Sequence, residues 1–268
     1  MVASGVKHHL HTKEIISLCT TLVQHCILKV RAHLPHLIES QFSRQPASSN
    51  KHLQSIIQHP KFFSICNPSM PSTARDKVIQ LLRELFLVHP QNSCQPSHIE
   101  PLRTIYGGTL STSDRMILSV FRLFEAHKKL SCASLLSTWS GSGDNCSADA
   151  LESLLSLDAP KVFHTCLNFP RMLKFDLDHE YHDESEFLEE LYDPLFLNLV
   201  FAKVVSGSSP SSGLSWVQFF RTNIVCMVIR SLSSKDDAFR ELALFNLSGL
   251  WKLLEVGRSR VQWLWDVF

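Results

Sequence analysis

The chain has 268 residues, of which 44% are apolar and 19% are charged, and its formal net charge is +1. A chain this apolar, with only 9 Gly and 12 Pro, is neither disordered nor collagen-like. At this length we expect one large domain or two small ones around a sizeable buried core.

Membrane and export signals are missing from the sequence. No apolar stretch reaches the roughly 18 residues of a membrane span, since Asn198 and Lys203 interrupt the most apolar one. The first residues carry His and Lys where a signal peptide has an apolar segment. These features predict a soluble intracellular chain. The eight cysteines form no Cys-x-x-Cys pair, so we expect reduced, mostly buried thiols, among them Cys19, Cys26 and Cys226 in apolar stretches.

Charge is distributed unevenly along the chain. Residues 1–134 carry 15 Lys and Arg against 7 Asp and Glu, whereas residues 135–268 carry 11 against 18. One interpretation is that the two halves face different partners, with nucleic acid as a candidate for the basic half. The other is that these charges only solvate exposed faces.

Almost every ordered stretch has apolar residues at the i, i+3, i+4, i+7 spacing of a helix with one buried face. The predicted helices, in chain order, are Lys13–Leu34, Ala74–Val88, Ser113–Ser137, Ala148–Ser156, Lys161–Leu167, Ser185–Tyr192, Pro194–Val205, Ser215–Leu232 and Asp237–Glu255. No alternating pattern of useful length predicts a strand. The sequence therefore predicts an all-α protein.

The residues between the helices predict caps and loops. Ser72 or Thr73 is expected to cap the second helix, and Ser111 with Asp114 resembles a capping box. Ser215 with Gln218 predicts another. Three Ser-rich stretches predict surface loops, at Gln41–Asn50, Thr138–Asp149 and Ser206–Gly213.

Helices joined by short polar breaks fit an α-solenoid of stacked HEAT-like or armadillo-like helix pairs. In such a fold each pair buries its apolar stripe against the next. The alternative is an irregular helical bundle, since no regular repeat motif is found.

Motifs of catalysis and cofactor binding are not found. The sequence has no phosphate-binding G-x-x-x-x-G-K-[ST] or G-x-G-x-x-G loop and no G-x-S-x-G nucleophile turn. We therefore predict no enzymatic activity and no cofactor. Asp176, Asp178, His179, His182 and Asp183 form a carboxylate and imidazole cluster that could hold a divalent cation. A solvated acidic loop is the other interpretation, and we favour it.

Aromatic residues fall mainly on the apolar stripes. Trp216, Phe219 and Phe220 are expected in the core, where they would not stack on bases. Trp263 and Trp265, near two arginines, come closest to the exposed aromatic and basic pattern of an RNA-binding surface.

Four sequence blocks resemble one family. In chain order they are Tyr106-Gly107-Gly108-Thr109-Leu110-Ser111 with Asp114-Arg115; Leu157-Asp158 with Thr165 and Asn168-Phe169-Pro170; Tyr192-Asp193-Pro194-Leu195-Phe196-Leu197; and Leu232-Ser233-Ser234-Lys235-Asp236 with Arg240 and Ala243. Together these blocks, over residues 105–265, resemble the C-terminal region of the nucleolar pre-ribosomal-associated protein 1 family.

The resemblance implies a non-catalytic role. The family consists of very large nucleolar α-helical repeat proteins that join early precursors of the large ribosomal subunit. They work with other assembly factors and a DEAD-box helicase, and they support processing and folding of precursor rRNA. The resemblance also implies a division into a basic helical segment, residues 1–104, and a C-terminal helical domain, residues 105–268.

We therefore predict a nucleolar scaffold in large-subunit biogenesis that binds assembly factors and the pre-ribosomal particle, with no membrane or small-molecule partner. If precursor rRNA contacts the chain, Arg122, Lys128 and Lys129 are the first candidates for phosphate contacts. The alternative is a generic helical adaptor that binds other proteins.

Overall fold

The computed structural model describes residues 46–68, 72–140, 147–177, 190–207 and 210–265, with the backbone alone described at 46–49 and 256–265. The chain divides into two compact units, which meet in sequence between Ser93 and Cys94. The predicted division between residues 104 and 105 rests on the extent of the motifs and stays a prediction. The predicted helix Lys13–Leu34 lies outside the described residues.

The described residues form helices joined by short connections. The first unit contains α1 (Pro46–Ile57), α2 (Phe62–Ile65), α3 (Thr73–Val88) and α4 (Pro90–Ser93). The second unit contains a 3-10 turn (Pro96–His98) followed by α5 (Ile99–Thr104), α6 (Thr112–Lys128), α7 (Cys132–Leu136), α8 (Ala150–Leu155), α9 (Ala159–Leu167), α10 (Pro194–Gly207), α11 (Gly213–Arg221), α12 (Ile224–Ser231) and α13 (Asp237–Trp265).

In the first unit, α1 packs against α3 and α4. The predicted cap of α3 is confirmed, because the Ser72 hydroxyl accepts a hydrogen bond of 3.1 Å from the Arg75 backbone N–H. Ile79, Leu82 and Phe86 of α3 are buried. Their spacing is that of a helix with one face against the core.

The second unit is built around α10. Every residue from Pro194 to Phe201 is buried, as is Val204, so the first two turns of α10 are enclosed on all sides. A helix that is apolar all round is stable only in such a position. Four helices, α7, α8, α12 and α13, pack against it.

Asn198 is the one polar side chain in the buried run of α10, and it links three helices. Its amide donates hydrogen bonds of 2.8 Å to the Pro194 carbonyl and 2.9 Å to the Ser231 hydroxyl of α12. The Asn246 amide of α13 donates to the Asn198 side-chain oxygen at 3.1 Å. A buried polar group costs little when it is hydrogen-bonded, so this network fixes how the three helices face one another.

Two predicted helices are each divided in two, and these predictions were wrong. The helix predicted at Ser113–Ser137 ends at Lys128, because Lys129 adopts the left-handed conformation with φ of 57°. The helix predicted at Ser215–Leu232 breaks at Asn223, which has φ of 62°. A left-handed residue ends a helix because its carbonyl and N–H leave the helical direction.

Further boundaries differ from those predicted. Residues 46–50, predicted within a loop, begin α1, and α13 extends to Trp265, ten residues beyond its predicted end. The capping box of α11 is formed by Ser212 and Ser215, three residues before the predicted one. The predicted helix Ser185–Tyr192 falls mostly outside the described residues, and residues 190–192 are not helical.

The all-α prediction is confirmed for the described residues, which contain no strand beyond one isolated antiparallel bridge between Thr109 and Tyr192. Stacked HEAT-like pairs are not confirmed. Among the same residues, no helix is both long and apolar enough to cross a membrane.

Gly108 precedes that bridge and occupies the left-handed region with φ of +68°. A Cβ atom at this position would lie 2.6 Å from Cε1 of Phe196, in the core of the second unit. Only glycine fits here, because it has no Cβ and tolerates positive φ.

We expect Gly108→Ala to lower the free energy of unfolding by about 1–3 kcal/mol, from left-handed backbone strain and from displacement of the Phe196 ring. Gly213→Ala is the matched control, because a Cβ at Gly213 meets no atom within 4 Å. Urea unfolding of both variants measures the difference. Equal stability of the two would contradict the geometry at Gly108.

Candidate functional site

The first sequence block forms a loop that is organised by the carboxylate of Asp114. This carboxylate accepts hydrogen bonds from the backbone N–H of Gly107 at 3.1 Å and of Thr109 at 2.9 Å, and from the Thr109 hydroxyl at 2.6 Å. The Asp114 backbone N–H donates to the Ser111 hydroxyl at 3.3 Å, which confirms Ser111 as the cap of α6. Asp114 is buried, and it satisfies donors that the turn would otherwise leave without partners.

A buried ion pair joins the first block to the third. The Arg115 Nη1 atom lies 2.9 Å from Oδ2 of Asp193, and the Asp193 side chain is fully buried. The other carboxylate oxygen, Oδ1, accepts a 2.7 Å hydrogen bond from the Leu195 N–H in the first turn of α10. Burial raises the pKa of Asp193, and the Arg115 charge opposes that rise. The pair therefore anchors the start of the central helix.

A cluster of packed aromatic rings lies near this ion pair. Tyr106 makes edge-to-face contacts with Phe121 and Phe196, at ring-centroid distances of 5.9 and 5.4 Å. Trp139 packs on Phe196 at 4.9 Å, and its indole N–H donates to the Tyr106 carbonyl at 2.7 Å. Burial, together with the nearby carboxylates, raises the pKa of the Tyr106 hydroxyl well above its ordinary value. This hydroxyl is therefore neutral.

The second block contacts the third through Tyr192. The Tyr192 backbone N–H donates to the Thr165 hydroxyl at 3.0 Å, and the Tyr192 hydroxyl accepts from the Asp158 N–H at 3.2 Å. The Lys161 ammonium lies 4.8 Å from the centre of the Tyr192 ring, a cation–π geometry. Asp158 also caps α9 by accepting from the Lys161 N–H.

The second block also contacts the fourth. The Phe169 and Phe239 rings meet edge to face at 6.2 Å. Two residues after Phe169, the Arg171 side chain donates to the Ser233 carbonyl at 3.0 Å, and the Arg171 carbonyl accepts from the Lys235 N–H at 2.8 Å. All four blocks are therefore joined in the tertiary structure. Their polar groups serve packing and capping, and they do not converge on an open catalytic centre.

Four cysteines of the described residues lack the character of nucleophiles. Burial raises the pKa of Cys66 and Cys132 to about 12, and of Cys94 and Cys166 to about 11. A thiol must ionise to react, so these four act as small apolar groups. Cys226 is exposed, which corrects its predicted burial.

The predicted cation cluster lies almost entirely outside the described residues, which include only Asp176 of its five members. Within the part of the chain that the structure describes, no group of three or more His, Cys, Asp or Glu side chains is placed to hold a metal ion.

The three predicted phosphate-binding residues lie on α6 or directly after it. Their surroundings in the structure differ from one another. Arg122 pairs with Glu125 at 2.8 Å, and its guanidinium lies 4.4 Å from the centre of the Phe175 ring. Lys128 and Lys129 are exposed where α6 ends. The partial negative charge of a helix C-terminus favours cations at this position. Lys128 and Lys129 thus differ from Arg122: their side chains face solvent, whereas Arg122 is held by its contacts with Glu125 and Phe175.

One of the three aromatic residues predicted in the core, Phe220, lies at the surface. Phe219 is buried, but Phe220 is 44% exposed and stacks on the half-buried Trp216 at 5.8 Å. The described part of α13 likewise exposes Leu244, Phe245 and Trp251. Apolar residues are spread around more of the circumference of these helices than the one face that packs on the core. This spread is visible in the sequence.

Comparison with known proteins identifies relatives of the chain. It is 26% identical to nucleolar pre-ribosomal-associated protein 1 from Homo sapiens, over 72% of the chain. The corresponding values are 24% over 71% for the Mus musculus protein and 23% over 59% for the Saccharomyces cerevisiae protein. The predicted resemblance to this family is confirmed.

The chain spans only about a tenth of the length of these relatives, between 9 and 11%. The relatives are named as nucleolar proteins, which supports the predicted location in the nucleus and nucleolus, and none is named as an enzyme. No family model matches the chain. No solved structure matches it either.

We expect Arg115→Met to lower the free energy of unfolding by about 3–5 kcal/mol, because it leaves the Asp193 charge buried without its partner. Arg221→Met is the control: Arg221 is exposed on α11, and its loss should change stability by less than about 0.5 kcal/mol. Urea unfolding followed by tryptophan fluorescence measures both.

The double variant Arg115→Met/Asp193→Leu separates pairing from general damage to the core. Because it removes both charges, we expect it to be more stable than Arg115→Met alone. If the loss of unfolding free energy in the double variant equals the sum of the losses in Arg115→Met and Asp193→Leu, the two side chains act independently.

Proposed function

We propose that the chain acts in the nucleolus as a non-catalytic scaffold in early large ribosomal subunit biogenesis, and that it supports processing of precursor rRNA. The similarity to three relatives named as nucleolar and pre-ribosomal-associated carries this proposal. Because the four sequence blocks pack together, the surface that they support presents binding groups in fixed positions.

The structural details fit a binding role better than a catalytic one. The buried polar cluster around Asp114, Arg115 and Asp193 satisfies backbone groups of a turn and of a helix start. The proposed scaffold would present its helices as an extended surface, and a solenoid of stacked pairs would suit that task. Binding then depends on exposed charges and apolar side chains.

The exposed lysines at the end of α6 are the proposed contacts with precursor rRNA. Lys128 and Lys129 are adjacent, and Leu130 and Ser131 after them are also exposed, so a phosphate backbone can approach this turn without displacing packed side chains. Arg122 is the weaker candidate, because a phosphate would compete with Glu125 for it. Phosphate contacts supply affinity that carries no sequence information.

We expect the full chain to bind a labelled single-stranded RNA with an affinity that falls as salt rises. Replacing both lysines, in Lys128→Ala/Lys129→Ala, should weaken binding and reduce the slope of log affinity against log salt by about 1.4, which is the value for two phosphate contacts on a single strand. Fluorescence anisotropy between low and moderate salt measures the slope.

The control variant Lys235→Ala/Lys252→Ala removes the same net charge from exposed positions elsewhere in the second unit. It should leave the slope nearly unchanged. If both double variants reduce binding equally, net charge is responsible and the proposed contacts at α6 are wrong.

Sequencing of RNA that co-purifies with the tagged endogenous chain tests the function itself. We expect precursor rRNA spacers to be enriched over mature rRNA, because the proposed scaffold acts before the spacers are removed. Absence of enrichment from a folded chain would overturn the proposal. Enrichment that survives Lys128→Ala/Lys129→Ala would support the scaffold while contradicting the lysine contacts.

A helical adaptor that binds only proteins is the second candidate. The exposed apolar side chains favour it, including Phe163 and Leu167 on α9 and Leu214 on α11, with exposed fractions of 51, 62 and 70%. Protein partners without precursor rRNA, in the same purification, would make this candidate the better one.

A further inference from the structure

The helix α13 carries two apolar stripes, and only one of them is covered. The covered stripe contains Phe239, Ala243 and Leu250 with Asn246, all buried against the second unit. The second stripe consists of Leu244, Leu247, Trp251 and Leu254, and we name it the α13 seam. Three of its members are 55, 65 and 37% exposed, namely Leu244, Trp251 and Leu254, and Leu247 is half-buried.

The spacing of the α13 seam is that of a helix-packing surface. Its residues follow one another at intervals of three, four and three, the positions that a facing helix interdigitates with in a coiled coil. A groove for an extended strand or a flat patch would not need this interval. The seam is also continuous with the covered stripe, since Leu247 lies one turn after Ala243 and Leu254 lies one turn after Leu250.

Charge beside the seam restricts the partner further. Glu241, three residues before Leu244, and Glu255, one turn after Trp251, are both exposed. The Trp251 indole N–H donates to Oε1 of Glu255 at 2.8 Å, which holds this carboxylate beside the seam. Lys252 lies farther round the helix. Arg240, one turn before Leu244, is paired with Asp237, so Glu241 and Glu255 give the border next to the seam a net negative charge, which basic residues on a facing helix would complement.

We propose that the α13 seam binds an amphipathic helix of a partner protein, with an apolar stripe that packs on Leu244, Leu247, Trp251 and Leu254 and with Lys or Arg residues facing Glu241 and Glu255. The proposal concerns a protein contact, and it does not depend on RNA binding at α6. Trp251 is its central residue, because large aromatic side chains dominate the energetics of interfaces.

The full chain offers a matched pair of variants for the test. Leu244→Ser removes a seam residue, and Phe245→Ser removes its neighbour, which is 57% exposed on the same helix but lies across the acidic border from the seam. Both residues are exposed, so neither substitution should disturb folding, and circular dichroism checks this. Trp251→Ser provides an independent second seam variant.

The probe is a labelled three-heptad helical peptide with Leu at a and d and Lys at e and g. We expect it to bind the full chain, and to bind the Leu244→Ser and Trp251→Ser variants at least about tenfold more weakly, while Phe245→Ser binds as the parent chain does. A peptide with Glu at e and g should also bind at least about tenfold more weakly. Fluorescence anisotropy measures each affinity.

Several outcomes would overturn the proposal. Failure of the Lys peptide to bind, equal binding of the Glu peptide, or an equal loss in Phe245→Ser would each contradict a helix on this seam. Self-association of the full chain that is lost in Leu244→Ser, seen by sedimentation, would assign the seam to a second copy instead. The rRNA enrichment of the proposed scaffold is measured separately, so either result can fail without the other.

Discussion

The buried pair of Arg115 and Asp193 imposes the strongest constraint on the second unit. A charge in a low-dielectric interior is tolerated only beside its partner, so residues 78 positions apart in the sequence must meet. Once they meet, the loop before α6 lies against the start of α10. The ring of Phe196 then packs on Gly108, which leaves no room for a side chain at that position.

This contact between the loop before α6 and the start of α10 also helps to enclose α10. The first two turns of α10 are apolar apart from Asn198 and require neighbours on every side, and the helices that enclose them present their other faces to solvent. Binding groups are therefore on the outer helices. The proposed RNA contact uses the exposed lysines at the end of α6, whereas the proposed protein contact uses the α13 seam. A scaffold can hold both partners, because neither contact uses the buried pair.

Local patterns predicted the helices well where one apolar stripe matched one buried face. The helix α3, its Ser72 cap and the start of α10 at Pro194 were all predicted. Prediction failed at Lys129 and Asn223, because left-handed backbone at a non-glycine residue leaves no clear mark in composition. The surface position of Phe220 was missed for a related reason: apolar spacing predicts a helix but does not say how many of its faces are covered.

The sequence by itself determined that this protein is helical, where most of its helices begin and which family it resembles, because periodicity, caps and motifs are properties of neighbouring residues. Only the tertiary structure decided which contacts the motifs make and which charged side chains remain exposed to solvent. Asp193 appeared in the sequence as one of nine acidic residues between positions 176 and 193, yet it is the buried partner of Arg115. Burial depends on contacts between segments that are distant in the sequence, and a local pattern does not specify which distant segment packs against it.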